Sequence, residues 1–561
     1  MTTHGELSKG PARPRGAAVA ALLALGLLTL AACGGGSGSS GEEGVEGGTP
    51  KPGGHLVVGT EADYNGFLPG REVASNRIMY AIYDPLMSYD SRGELRPYLA
   101  ESLTGNATLD EFTLKLRPNV KFHDGTPLNA AAVKEIFDKY LNIPTSRLLV
   151  NVSIVENLRI VDDLTVVYKL KTPNAAFPGL LAGLTGMPFS PTAAAVKGDA
   201  LLSSPVGTGP FIFDTWQRDS HLIVKKNPNY WQTGLPYLDQ ITYRPIPDED
   251  SRLASLLSGE IDTMLTARQA QNVAKAAKES GGAIKEYPDI GNQVANINLN
   301  MGKPPTNDKR VRKAMGYALS QEELISVQGL EGIAPVTTQL FAKDSPYYSE
   351  QAAKVYAMND VPRARALATE YMNDPARSDG KPVGSRIDLG QFTCTAGVSS
   401  LNDLVIVYQG RWREIGMDIA LSFVDQSVLS QRSVGTPPNF TANYDVLCSR
   451  GGSDEDPDIL YNSLYDPKAA ANSNDLDNAE VRRLLDAGRR SGDPEERKKI
   501  YQSLSVVLAE EMPKIYHGGL ATTNGAKAEV RNITGWTFPD GTKGDGTPSS
   551  IVRYSHVWLD R

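Results

Sequence analysis

The chain has little cysteine, scattered histidine and no run of a single charge. Three cysteines in 561 residues are too few for a disulfide-built scaffold or a cysteine-based zinc module. The six histidines stand at 4, 55, 123, 221, 517 and 556, and no two share ligand spacing on one element. No metal and no cofactor is therefore expected. Neither G-x-S-x-G nor G-x-x-x-x-G-K-[ST] occurs, and the sequence offers no catalytic residues; it does not read as an enzyme. With no basic block and a net charge of −8, nucleic acid is excluded as a partner. What remains is ordinary globular composition, 40% hydrophobic and 22% charged. Because 561 residues exceed one hydrophobic core, two or three domains are expected.

No apolar run reaches the roughly 20 residues of a spanning helix. The longest candidate, Ala17 to Ala32, follows Lys9, Arg13 and Arg15 and ends at Cys33. Basic, then apolar, then small residues is the order of an export signal. Residues 34–54 contain ten glycines and no face to bury, so 33–54 reads as a flexible tether. A literal G-x-G-x-x-G lies inside it, Gly36 to Gly41. No strand precedes it and no helix follows, so it carries no dinucleotide site.

The body mixes strand and helix signals throughout, which indicates an α/β fold. His55–Thr60, Glu111–Leu116, Leu222–Lys226, Ile241–Ile246, Ala295–Leu299, Ile387–Thr395, Ile419–Phe423 and Tyr444–Cys448 read as strands. Asn129 caps a helix with apolar positions Val133, Ile136, Phe137, Tyr140 and Leu141. Ser251 opens another (Leu253, Leu256, Leu257), which stops at Gly259. Asp308–Leu319 is a third, and Ser320 with Glu323 forms a capping box for the next. The acidic run Asp454-Glu455-Asp456-Pro457-Asp458 starts like a calcium loop. It has Ile459 where glycine is required and reads as a solvated turn.

Seven blocks occur in order: Glu94–Ser102 (ELRPYLAES), Leu116–Thr126 (LRPNVKFHDGT), Pro205–Phe211 (PVGTGPF), Asn227–Trp231 (NPNYW), Leu253–Asp262 (LASLLSGEID), Arg310–Ala318 (RVRKAMGYA) and Trp412–Asp418 (WREIGMD). Together the chain resembles the family 5 extracellular solute-binding proteins of bacterial ABC importers, the peptide and nickel group. Leu103 departs from the family's usual tryptophan. The resemblance implies an α/β, two-lobed, periplasmic-binding-protein-like fold with mixed sheets joined by hinge strands. Lobe I is expected at 55–90, 205–290 and 520–561, an inserted subdomain at 91–204 and lobe II at 291–519, after a signal peptide at 1–32.

Leu30-Ala31-Ala32-Cys33 resembles a lipoprotein box, which implies lipidation of Cys33 and anchoring to the outer face of the membrane. The family role is to capture a short peptide between closing lobes and deliver it to permease and ATPase subunits, as a monomer. A saccharide, a metal chelate or solute sensing without transport are the alternatives. By resemblance the peptide amine meets an Asp after the Tyr444–Cys448 strand. Asp454 is the candidate, one residue from the usual spacing, with Asp456 structural. Arg450 either pairs with a solute carboxylate or bridges the acidic run, and Gly451 and Gly452 allow close backbone approach. Cys394 and Cys448, each at a predicted strand end, suit a disulfide if their strands are neighbours.

Overall fold

The computed structural model describes residues 48–70, 76–90, 92–142, 148–266, 270–343, 345–396, 399–434, 442–451, 456–466, 472, 474–544 and 551–561. Cys33, Gly452 and Asp454 lie outside these residues, as does the expected signal peptide. The chain enters through β1 (His55–Thr60) and builds a small antiparallel sheet from β2 (Ala100–Gly105), β3 (Glu111–Leu116), β4 (Val155–Asp162) and β5 (Thr165–Leu170), in the order β2-β3-β5-β4. Phe112, Leu114 and Leu116 alternate into its core with Val166, Tyr168 and Leu170. The helix Ala130–Leu141 packs on this sheet. Asn129 accepts from the Ala132 amide, and Val133, Ile136, Phe137 and Tyr140 are buried. Leu141, expected on that face, is exposed instead, because it falls at the frayed last turn.

The main sheet has ten strands. It consists of β1 together with β6 (Phe211–Gln217), β7 (His221–Lys226), β8 (Gln240–Pro245), β9 (Thr263–Thr266), β10 (Ile284–Leu299), β11 (Ile387–Thr395), β12 (Met417–Val424), β13 (Val446–Gly451) and β14 (Lys514–Lys527). Their order is β12-β11-β13-β10-β14-β9-β1-β8-β7-β6. Two separate hydrophobic clusters lie along it. One joins the β1, β6, β7 and β8 end with the inserted sheet, and the other surrounds β11, β12 and β13 with their helices. Among the described residues only β10 and β14 run through both ends, paired antiparallel from Ile284↔Lys527 to Asn298↔Lys514. This is the two-lobed architecture implied by the resemblance, with long crossing strands as the hinge.

The hinge ladder is irregular near its middle. Between Ile290 and Val294, β10 advances four residues while β14 advances two, from Ala521 to Gly519, which is a bulge. Opposite it, Gly518 holds φ +132°, a conformation open to glycine. The Gly519 amide donates to the Pro335 carbonyl at 2.7 Å.

Each of the seven motif blocks is pinned into the scaffold by at least one side chain. Arg96 bonds Asp90 at 2.8 Å and Arg117 bonds the Tyr98 carbonyl at 2.6 Å. Trp231 of the NPNYW turn donates to buried Asp84 at 2.7 Å, and Thr208 of PVGTGPF accepts from the Asp84 amide. Asp262 accepts from the Val57 amide at 2.8 Å. Arg312 is buried and donates to the Thr306 and Asn307 carbonyls, and Trp412 donates to the Met315 carbonyl. The blocks that carry the resemblance therefore help to hold the fold.

Several sequence expectations need correction. Residues 48–54 are not free tether: Lys51 pairs with Asp560 at 2.6 Å and the Gly53 amide donates to the Tyr237 carbonyl at 2.7 Å. The second helix starts at Glu249 under an Asp248 cap, not at Ser251, and Leu257 faces solvent. Ser320 caps its helix by accepting from the Glu323 amide, but the Glu323 carboxylate turns away to Arg411, at 2.6 Å.

Candidate functional site

The crevice follows from strand direction. β1 runs parallel to β8 and β9, and β9 and β10 are both antiparallel to β14. The strands β1, β8, β9 and β10 therefore share one direction, toward lobe II. β13 is antiparallel to β10, and β11 is parallel to both β12 and β13. Those three point back toward lobe I. The carboxyl ends at Thr60, Pro245 and Thr266 thus face the carboxyl ends at Thr395, Val424 and Gly451 across the hinge. In open α/β sheets the crevice beyond strand carboxyl ends is where ligands sit.

Lobe I presents a braced edge. Arg252 is fully buried; it donates to the Leu265 carbonyl at 3.1 Å and to the Ile246 and Pro247 carbonyls. One guanidinium thus ties together the chain just beyond β8 and the end of β9. Glu249 accepts from Thr266 at 3.0 Å. The loop after β1 is fixed by Trp216, which donates to Asp63 at 3.0 Å. Arg218 stacks 3.8 Å from the Trp216 ring and bonds the Tyr64 carbonyl. None of these stands out as a site residue in the sequence. A lone arginine before Leu253 on an amphipathic helix looks like a solvated position, and only burial shows otherwise.

Lobe II differs from expectation at its edge. β13 does not stop at Cys448 but continues to Gly451, with Arg450 opposite Ala295 and Gly451 opposite Val294. The ladder persists because β10 remains regular until its bulge. The backbones of Arg450 and Gly451 are therefore engaged in the sheet, and the freedom assigned to Gly451 is used for pairing. The chain then resumes at Asp456, which caps the helix Pro457–Tyr465 and pairs bidentately with Arg497 at 2.6 and 2.8 Å. Asp458 is 3% exposed and is held by Arg489 and Tyr501, both at 3.2 Å. Burial pushes its carboxyl up against the pull of Arg489. The second half of the acidic run is thus a buried ion-pair network, not a solvated turn. Asp456 and Asp458 have guanidinium partners of their own, in Arg497 and Arg489.

Polar groups are also buried where the hinge enters lobe II. Lys514 bonds Asn298, and burial lowers its ammonium to about 7. His517, next to the hinge glycines, meets the Tyr408 hydroxyl at 2.8 Å, and burial lowers it to about 3. It is neutral at any ordinary pH. Among the described residues, no group of three His, Cys, Asp or Glu could hold a metal ion, and no helix is long and apolar enough to cross a membrane.

Residues 94–472 match the family profile of bacterial extracellular solute-binding proteins, family 5. The chain belongs to this family. It is 28% identical over 498 residues to the glutathione-binding protein GsiB of Escherichia coli O157:H7, covering 86% of this chain and 92% of that protein. Among solved structures it resembles AgaA of Agrobacterium tumefaciens in complex with agropinic acid, with a TM-score of 0.77 and 25% identity over 91% of this chain and 99% of that one. It also shares its fold with DppA of Helicobacter pylori in complex with the peptide STSA, at TM-score 0.76 and 22% identity, covering 91% and 99%. The family consists of binding proteins that serve transporters. This chain is accordingly an extracellular solute-binding protein of the ABC importer type.

Proposed function

We propose that the protein captures short peptides between its lobes and delivers them to the permease of an ABC importer. The observation that carries this is the pair of opposed strand ends. Six carboxyl ends offer main-chain donors and acceptors from both sides, which suits a ligand whose own backbone must be satisfied. The glutathione-binding relative, aligned over 92% of its length, supports a peptide-like solute. Asp454, which follows β13 in sequence, is the proposed partner for the ammonium, and Arg450 the proposed partner for a carboxylate. A second reading, a small organic acid, is favoured by the likeness to the agropinic acid complex.

Native mass spectrometry of protein lacking residues 1–33 should reveal a retained peptide. Calorimetry with di- and tripeptides, glutathione and agropinic acid should register the peptides, with or without a chelator. Binding of agropinic acid alone would establish the second reading, and loss on chelation would overturn metal independence. Asp454→Asn should weaken peptide binding by one to two decades, on the order of 1.5–3 kcal/mol for a charge-assisted bond. The melting temperature of the empty protein should hold.

Anchoring at the outer face of the membrane is part of the same proposal. The lipoprotein box at Cys33 supplies the acyl chains, since two or more hold stably where one does not. Cys33→Ser should move the protein from the membrane to the soluble fraction; continued membrane association would refute the anchor.

A further inference from the structure

Away from the crossing strands, lobe II meets the inserted subdomain at a second place. The Ala175 amide donates to the Arg489 carbonyl at 2.8 Å. Leu109 reaches Gly492 so closely that a Cβ there would stand 2.9 Å from its Cδ1. Ile459 packs half-buried against the lobe I cluster. It lies beside Gly179, where a Cβ would stand 3.0 Å from the Ile459 Cδ1 and 3.5 Å from the Asp456 Cβ.

Each side of this contact is a stiff pad. In lobe II, Asp458 ties 456–459 directly to Arg489, and Asp456 pairs with Arg497, which in turn donates to the Gly488 carbonyl. In the subdomain, the Asn174 amide donates to the Leu109 carbonyl at 2.8 Å, and the Asn174 side chain accepts from Ala176. Among the described residues the pads are joined by the Ala175–Arg489 hydrogen bond and by the contacts of Leu109 with Gly492 and of Ile459 with Gly179. Such a contact opens at little cost compared with the cores behind it.

Leu109 holds a left-handed backbone, φ 55°, at the turn between β2 and β3. That conformation is uncommon for leucine, and asparagine or glycine would serve the turn better. Strain of this kind persists where the side chain has another task. Here the side chain packs at the edge of the lobe I cluster and also reaches Gly492 in the other lobe.

We propose that this contact is a latch: Leu109, Ala175 and Gly179 engage Gly492, Arg489 and Ile459 to hold the lobes shut at the point reached by closure about the hinge. The proposal rests on the reading that solute enters between the lobes, but its test needs no solute and so fails separately.

Leu109→Gly relieves the backbone and removes the reaching side chain. Hydrogen exchange in segments 174–180 and 488–493 should accelerate about tenfold, while β2, β3 and β5 keep their protection and the melting temperature holds. Small-angle scattering of the same variant should show a larger radius of gyration. Unchanged exchange in both segments would overturn the latch. So would loss of protection across the whole inserted sheet, which would make the contact merely structural. As an independent variant, Leu109→Cys with Gly492→Cys should cross-link under mild oxidation, and failure to cross-link would count against the contact in solution.

Discussion

Protein lacking residues 1–33 should show no reactive thiol under denaturing, non-reducing conditions. In that form Cys394 and Cys448 are the only cysteines. They lie on neighbouring parallel strands, where the register Phe392↔Val446 and Thr393↔Leu447 places Cys394 opposite Cys448. The two are bonded, with Cα atoms 4.9 Å apart across a sequence separation of 54. Both are buried in the lobe II core, and the exported compartment favours the oxidised form. Closing a loop of that length restricts the unfolded chain by about 4 kcal/mol in the chain-entropy account. Replacing both with alanine should lower the denaturant midpoint of lobe II accordingly and leave the lobe I transition in place. Two titratable thiols in the wild-type protein would refute the bridge.

Asp84→Asn should remove a downward slope in stability between about pH 4 and pH 7. Asp84 is 2% exposed, and burial raises its carboxyl from 3.8 to about 7, against the opposing pull of Trp231, Tyr230 and Arg553. Tyr98 also lies near enough to feel its charge. Because the folded-state value is the higher one, the native protein keeps a proton that the unfolded chain has lost. Stability from this group is complete below about pH 4 and is lost as pH rises through 7. At 1.36 kcal/mol per unit, three units amount to about 4 kcal/mol. Asparagine keeps an acceptor for the Trp231 indole and cannot ionise.

The variant must be compared with wild type across pH, because three buried histidines work in the other direction. Burial lowers His123 and His556 to about 4 and His517 to about 3. Each binds a proton more readily when unfolded, so their stability contribution falls as pH drops from 6.5. They contribute equally to both proteins and cancel in the difference. Parallel pH–stability curves for wild type and Asp84→Asn would show that the carboxylate titrates normally.

Much of the scaffold is legible in the sequence, and the reason is periodicity. Glu111–Leu116 and Ile387–Thr395 are strands with the bounds expected of them; in the first, apolar residues at period two bury one face, and in the second, 392–395 are buried throughout. Asn478 caps the helix Ala479–Arg490. Asp493 caps the long helix that opens at Pro494, since proline at the first turn and a capping carboxylate are local signals. The family is equally accessible, because its motif blocks carry side chains that tie distant segments together, as Trp231 does with Asp84 and Trp412 with the Met315 carbonyl.

The candidate site is another matter. Tyr444–Cys448 and Val446–Gly451 differ by only a few residues, yet that shift decides whether Arg450 and Gly451 belong to a loop or to a ladder. The decision lies with β10, more than 150 residues away, whose bulge sets where pairing can end. Arg252, Asp456 and Asp458 look like solvated charges in sequence. Burial against the Leu265 and Ile246 carbonyls, Arg497 and Arg489 makes them braces. Family, export-signal pattern and element order can be had from the residues alone, because all three rest on spacing along the chain. The facing of the strand ends, the hinge bulge and the pads at Leu109 and Ile459 come only with the folded chain, because each depends on which distant backbone a residue is brought to meet.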